Sequence, residues 1–120
     1  IAADSTDAQS LNNYAYSLAE REVLLKKALK MAQKAVKKEP DNSAYLDTIG
    51  WIYFKLGNVS KAHHYINSAV DSDKSNAVVL EHLGDVLTSK KMYQEAREIY
   101  RQASELEPDN ARLRSKAKIN

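Results

Sequence analysis

YLDTIGWIYFKLGNVSKAHHYINSAV (Tyr45–Val70) and VLEHLGDVLTSKKMYQEAREIYRQAS (Val79–Ser104) align without a gap, so that Gly50 falls on Gly84. The same offset relates Ala28 to Ala62 and Ala96, and Ala35 to Ala69 and Ala103. Pro40 and Pro108, each within E-P-D-N, stand at twice that distance. A fixed period of this length marks a chain built from stacked, similar units. A glycine inside a helix costs about 1 kcal/mol relative to alanine, so Gly50 and Gly84 are expected to serve a packing purpose.

The second unit supplies Leu46, Ile49, Gly50 and Tyr53, then Ala62, Ile66 and Ala69. The third supplies Leu80, Leu83, Gly84 and Leu87, then Ala96, Tyr100, Ala103 and Pro108. The first is degenerate, with Asn12, Ala15, Tyr16 and Ala19, then Ala28, Ala32, Ala35 and Pro40. On these residues the chain resembles the tetratricopeptide repeat family. The likeness covers roughly residues 9–110 as three repeats, 9–42, 43–76 and 77–110, with 111–120 starting a capping helix that looks cut short. The resemblance implies an all-α fold, a right-handed superhelical solenoid of antiparallel helix pairs. There are departures. Tyr16 stands where the family wants a very small residue, and Ala19 and Ala32 where it prefers large aromatics, so volume is expected to be traded between neighbours. Lys74 replaces the usual closing proline.

The spacing predicts helices in order. A capping box of Thr6 and Gln9 opens the first, which runs to about Glu20. A second covers about Val23 to Lys38, where P-D-N breaks the chain. The third covers about Ser43 to Lys55 and turns at L-G-N, with Asn58 as N-cap of a fourth that reaches about Val70. The fifth covers about Ala77 to Ser89, and the sixth about Tyr93 to Leu106. Gly50 and Gly84 are placed where the two helices of a repeat cross, with Ala62 and Ala96 expected to face them.

Length and composition suit one small helical domain of 120 residues with three glycines and two prolines. No apolar run approaches the ~20 residues that span a membrane, and no signal-peptide pattern is present. The absence of cysteine excludes disulfides and thiol chemistry. Because the chain starts at Ile1, a processed chain or a fragment of a longer protein is expected. The net charge of +2 hides a gradient: residues 9–42 carry seven basic and four acidic side chains, residues 77–110 four and seven. Such polarity suits either solvated helix faces or end-to-end stacking.

First helices line the concave face of such a solenoid. Helical spacing puts Asp47, Trp51 and Phe54 beside the buried stripe of the second repeat. Equivalent or neighbouring positions are Asn13, Tyr14 and Ser17 in the first repeat, and Glu81, His82 and Asp85 in the third. The expected groove therefore holds an aromatic pair, with Trp51 as apolar anchor, and carboxylates that select basic side chains. The alternative for Trp51 and Phe54 is space-filling between repeats. The family's clamp for acidic chaperone tails needs basic residues where this chain has Asn13, Ser17, Thr48, Val78 and His82, so that activity is not expected.

Catalysis is not expected either. His63 and His64 are adjacent and cannot share a metal across one helical turn, and no phosphate-cradling or nucleophile motif occurs. The lysines at 26, 30, 34 and 37 lie opposite the alanine stripe of the second helix, as on a solvated face, so nucleic acid is not expected. No cofactor or membrane insertion is implied. The expected function is a non-catalytic scaffold that binds a protein or peptide with basic or apolar side chains. The alternatives are self-assembly of basic first on acidic third repeats into a homo-oligomer, or a targeting or spacer part of a larger enzyme. Phrases such as LNNYAYSLAE look bacterial, which suits cytoplasm or envelope and leaves the compartment open.

Overall fold

The computed structural model describes residues 3–118, with side chains from Asp7 onward, and these residues form seven helices and no strand. They are α1 (Ala3–Glu20), α2 (Leu25–Lys38), α3 (Ser43–Lys55), α4 (Val59–Ser72), α5 (Ala77–Ser89), α6 (Tyr93–Leu106) and α7 (Ala111–Ala117). Helices α1 and α2, α3 and α4, and α5 and α6 form antiparallel pairs, and α7 packs on α6. The pairs stack into a right-handed solenoid 48 Å long. Helix α3 touches both α1 and α5, so α1, α3 and α5 make the inner layer, with α2, α4 and α6 outside.

Asparagines decide where the helices begin. Asn42, Asn76 and Asn110 recur at the period of the repeat and cap α3, α5 and α7. Their side-chain oxygens accept from the backbone N–H of Tyr45 at 3.1 Å, of Val78 and Val79 at 3.0 and 3.2 Å, and of Leu113 at 3.2 Å. Asn58 caps α4 as expected, accepting from Lys61 N–H at 3.1 Å. Each bond satisfies a helix-start N–H that has no intrahelical acceptor. Helix α1 already runs from Ala3, ahead of the start expected at Thr6, whose side chain lies outside the described residues.

The inner helices end alike. Each closes on a left-handed residue, Glu22, Gly57 or Lys91, with φ of 53°, 88° and 64°. The N–H one residue later bonds back to the carbonyl of Leu18, Tyr53 or Leu87 at 3.1, 2.8 and 2.9 Å. This is the Schellman arrangement. Helix α1 stops one residue early in the repeat register, and a second left-handed residue, Leu24 (φ 50°), restores it. Helix α2 therefore starts at Leu25, not at Val23.

The periodic alanines are all buried at the contact between paired helices. A Cβ on Gly50 would stand 2.6 Å from Ile66 Cγ1 and 3.1 Å from the Ile66 backbone N. One on Gly84 would come within 2.8 Å of three atoms of the Tyr100 ring. The glycines do mark a close crossing, but Ile66 and Tyr100 fill it, one turn beyond the expected Ala62 and Ala96. In the first pair the two positions hold Tyr16 and a fully buried Ala32, so bulk has moved from the outer helix to the inner one. The middle inner helix is buried all round, without a break from Tyr45 to Tyr53, since it has neighbours before, behind and after it.

Candidate functional site

Of the nine candidate groove residues, Asn13, Tyr14 and Ser17 are exposed, and Phe54 and Asp85 are part-buried. Asp47, Trp51, Glu81 and His82 are buried. The open acidic and aromatic surface expected around Asp47 and Trp51 is instead a closed seam. The reason is geometric: the next inner helix lies directly over it.

His82 of α5 reaches back to α3. Its Nδ1–H donates between the two Asp47 carboxylate oxygens, at 2.9 and 3.0 Å, and its ring stacks on the Trp51 indole with centroids 3.8 Å apart. Trp51 is 6% exposed. Its Nε1–H donates to Glu20 at 2.9 Å, Phe54 stacks beneath it at 5.0 Å, and the Lys55 ammonium stands 4.9 Å from the ring centre. Trp51 therefore lies buried between repeats and not on the open surface expected of it.

Lys116 of α7 repeats the move one period later. Its ammonium donates to Glu81 at 2.8 Å and to Asp85 at 3.0 Å. Both seams receive the side chain on residues in the same register of the preceding inner helix: Asp47 and Trp51 for His82, Glu81 and Asp85 for Lys116. Arg112 adds a two-pronged bond to Glu81 at 2.8 and 2.9 Å. The Arg112 guanidinium, helped by Lys116, holds the Glu81 carboxyl down to about 2 although burial opposes this. Burial lowers the Lys116 ammonium, but its bonds to Glu81 and Asp85 outweigh that and raise it overall. Asp85 also accepts from the Tyr100 hydroxyl at 2.6 Å. Burial, then that bond, pushes the Tyr100 phenol well up. The expected carboxylates are present, but the chain's own cations already hold two of them.

An open recess of about 360 Å³ remains between α1, α3 and α5, walled by Asn12, Tyr16, Asp47, Thr48 and Val78 among others. Val78 is 47% exposed there. Asn12 is only 7% exposed, and its buried side-chain oxygen has no hydrogen-bond partner among the described residues. The Tyr16 hydroxyl is pushed up to about 12, by burial first and then by Glu20, Asp47 and Glu81. Sequence reasoning missed Arg112 and Lys116, though the period marks them: they lie one repeat after Val78 and His82. Asn12 was also marked, by standing where later repeats have Leu46 and Leu80.

The other histidines do not join this face. His63 Nδ1 accepts from the Lys90 ammonium at 2.7 Å, and burial with that neighbouring charge lowers its pKa. His64 packs edge-on to Tyr65. Among the described residues no three His, Cys, Asp or Glu side chains gather as metal ligands would, and no helix is long and apolar enough to cross a membrane.

Comparison with known proteins places this arrangement. Residues 21–103 match the family model described as anaphase-promoting complex, cyclosome, subunit 3. The TPR repeat-containing protein PA4667 of Pseudomonas aeruginosa is 34% identical over 85 residues, which is 71% of this chain. The chain spans only 14% of that relative's length. Among solved structures, the first TPR of Spaghetti (RPAP3) bound to an HSP90 peptide superposes with a TM-score of 0.86 at 21% identity, covering 95% of this chain and 92% of that one. The Arabidopsis OM64 TPR domain gives 0.85 at 21% identity, over 96% and 94%. A Thermobaculum terrenum O-GlcNAc transferase mutant gives 0.86 at 24% identity, over 95% of this chain but 22% of its own.

Proposed function

The chain belongs to the tetratricopeptide repeat family, and on that premise we propose that it is a non-catalytic scaffold holding an extended segment of a partner protein along its inner face. The observation that carries this reading is the recess between α1, α3 and α5, the one place described on that face where a buried polar group lacks a partner. Asn13 lines the recess from α1, whereas Tyr14 lies with Leu11 and Met31 beside the Lys27 ammonium, and Ser17, Phe54 and Asp85 stand outside its walls. Asp47, Glu81, His82 and Trp51 act from beneath, fixing the spacing of the inner helices. Their polar groups are taken up by neighbours, Asp47 by His82, Trp51 by Glu20 and Glu81 by Arg112 and Lys116, instead of converging on a point where a substrate atom would sit, which supports a binding rather than a chemical role.

Self-assembly gains no comparable support, since α7 takes up the Glu81 and Asp85 carboxylates that stacking on a basic first repeat would use. Acidic tails like those held by chaperone-binding relatives are not proposed as ligands, because Thr48, Val78 and His82 offer no exposed cation.

The test is selection from a random peptide library, followed by affinity measurement on variants with unchanged circular dichroism. Asn13→Trp and Val78→Trp, which crowd the recess, are expected to weaken selected peptides at least about tenfold, the loss of roughly one good contact. Lys30→Glu on the outer face should leave affinity unchanged. Peptides that bind the crowded variants as tightly as wild type, or that depend on Lys30, would refute the groove reading.

A further inference from the structure

The recess has a counterpart one repeat along the chain where a cation already meets the carboxylate. Arg112 is the periodic equivalent of Val78, and Glu81 that of Asp47. At the seam of α5 with α7, the Arg112 guanidinium, on a side chain 61% exposed, makes its two-pronged bond to Glu81. At the seam of α3 with α5, the same position is Val78, too short and apolar to do so. The space it leaves is the recess. The molecule thus displays, on its own side chains, what fits this kind of site.

The walls agree. Asp47 lines the recess, no lysine or arginine does, and Glu20 adds negative charge near Tyr16. A single His82 N–H engages the Asp47 carboxylate, and two carboxylate oxygens accept several bonds. The Asn12 oxygen has none. A buried polar group without a partner is unfavourable, and here it sits where the other repeats bury a leucine.

Resting on the groove reading above, we propose that this recess takes the cationic side chain of the partner segment, an arginine or lysine, whose head group donates to Asp47 and, once the buried Asn12 carboxamide turns toward it, to Asn12 Oδ1. The Tyr16 oxygen is a further acceptor, and the aliphatic stem lies along Val78. The partner's cation then does at the second seam what Arg112 does at the third.

Nuclear magnetic resonance titration with Nα-acetyl-L-arginine N-methylamide tests this, with the norleucine analogue as control. The arginine probe is expected to shift the Asn12 side-chain amide and Val78 methyl signals saturably, about tenfold more tightly than norleucine, as one charge-assisted hydrogen bond gives. Asn12→Leu should abolish that preference while raising the melting temperature, a combination that a merely structural asparagine would not produce. Val78→Arg should fill the recess from within, keep the fold and exclude the probe. Equal response to norleucine, full arginine affinity in Asn12→Leu, or undiminished binding in Val78→Arg would each overturn the proposal. Library peptides that bind in the recess without any cation would overturn it while leaving the groove reading intact, and a library that yields no recess-dependent peptide removes the groove reading itself.

Discussion

Gly84 shows how closely single positions are set. Tyr100 lies across it, and the Tyr100 hydroxyl is tied to Asp85 at 2.6 Å, so the ring cannot swing aside for a new methyl group. Gly84→Ala should therefore cost a net ~1–2 kcal/mol, overpacking outweighing the ~1 kcal/mol gain in helix propensity. In a Tyr100→Leu background the same change should become neutral or stabilising, and urea denaturation of the four proteins in the cycle measures the coupling. Additive effects would mean that the ring is not what the glycine accommodates. The glycine's purpose was legible from the period and its partner was not. Searching for a small residue opposite a small residue led to Ala96, whereas a crossing that removes one side chain admits a large one from the facing helix.

At the scale of the element, α7 is short, and its docking rests on Leu113, buried against the core, and on the Arg112 and Lys116 bonds to Glu81. The Glu81 carboxyl lies near 2 in the folded protein against 4.5 for the free group. A depressed carboxyl adds stability that is complete above the unfolded value and is lost as pH falls toward the folded one. Thermal melts should thus show a loss of stability between pH 4.5 and about 2 to which Glu81 contributes. Glu81→Gln should melt lower at neutral pH and show a shallower acid limb, the two curves converging near the bottom of that range. Parallel curves would place the acid sensitivity elsewhere. Helix order, most boundaries and the turn at Gly57 were readable in advance. The Asn42, Asn76 and Asn110 caps were not, because P-D-N was read only as a break and the 73–76 stretch lacks it, although their spacing is the repeat's own.

For the whole molecule, the solenoid was legible because a period survives substitution at most positions. The inner face was only half legible. A helical projection treats each helix as having one packed side and one free side, which holds for a helix at the end of a stack. Helix α3 lies between two others, so the face judged free, with Asp47 and Trp51, is where the next repeat rests. What stayed open was defined by an irregularity, a valine where the following seam has an arginine.

The pairing across successive seams has a consequence for the order of the units. Excising residues 43–76 would leave the period unbroken and join helices of matching shape. His82 would then arrive over Asn13 and Ser17, finding neither a carboxylate nor an indole, and Asp85 would take the place of Trp51 beside Glu20, setting two negative charges together. A chain consisting of residues 43–120 has the same number of helix pairs and keeps both of its native junctions. The excised form should unfold at lower denaturant than this one, although nearest-neighbour counting alone would rank them equal. Three look-alike units are thus not interchangeable: the second and third each carry, in two side chains, the address of the helix that follows.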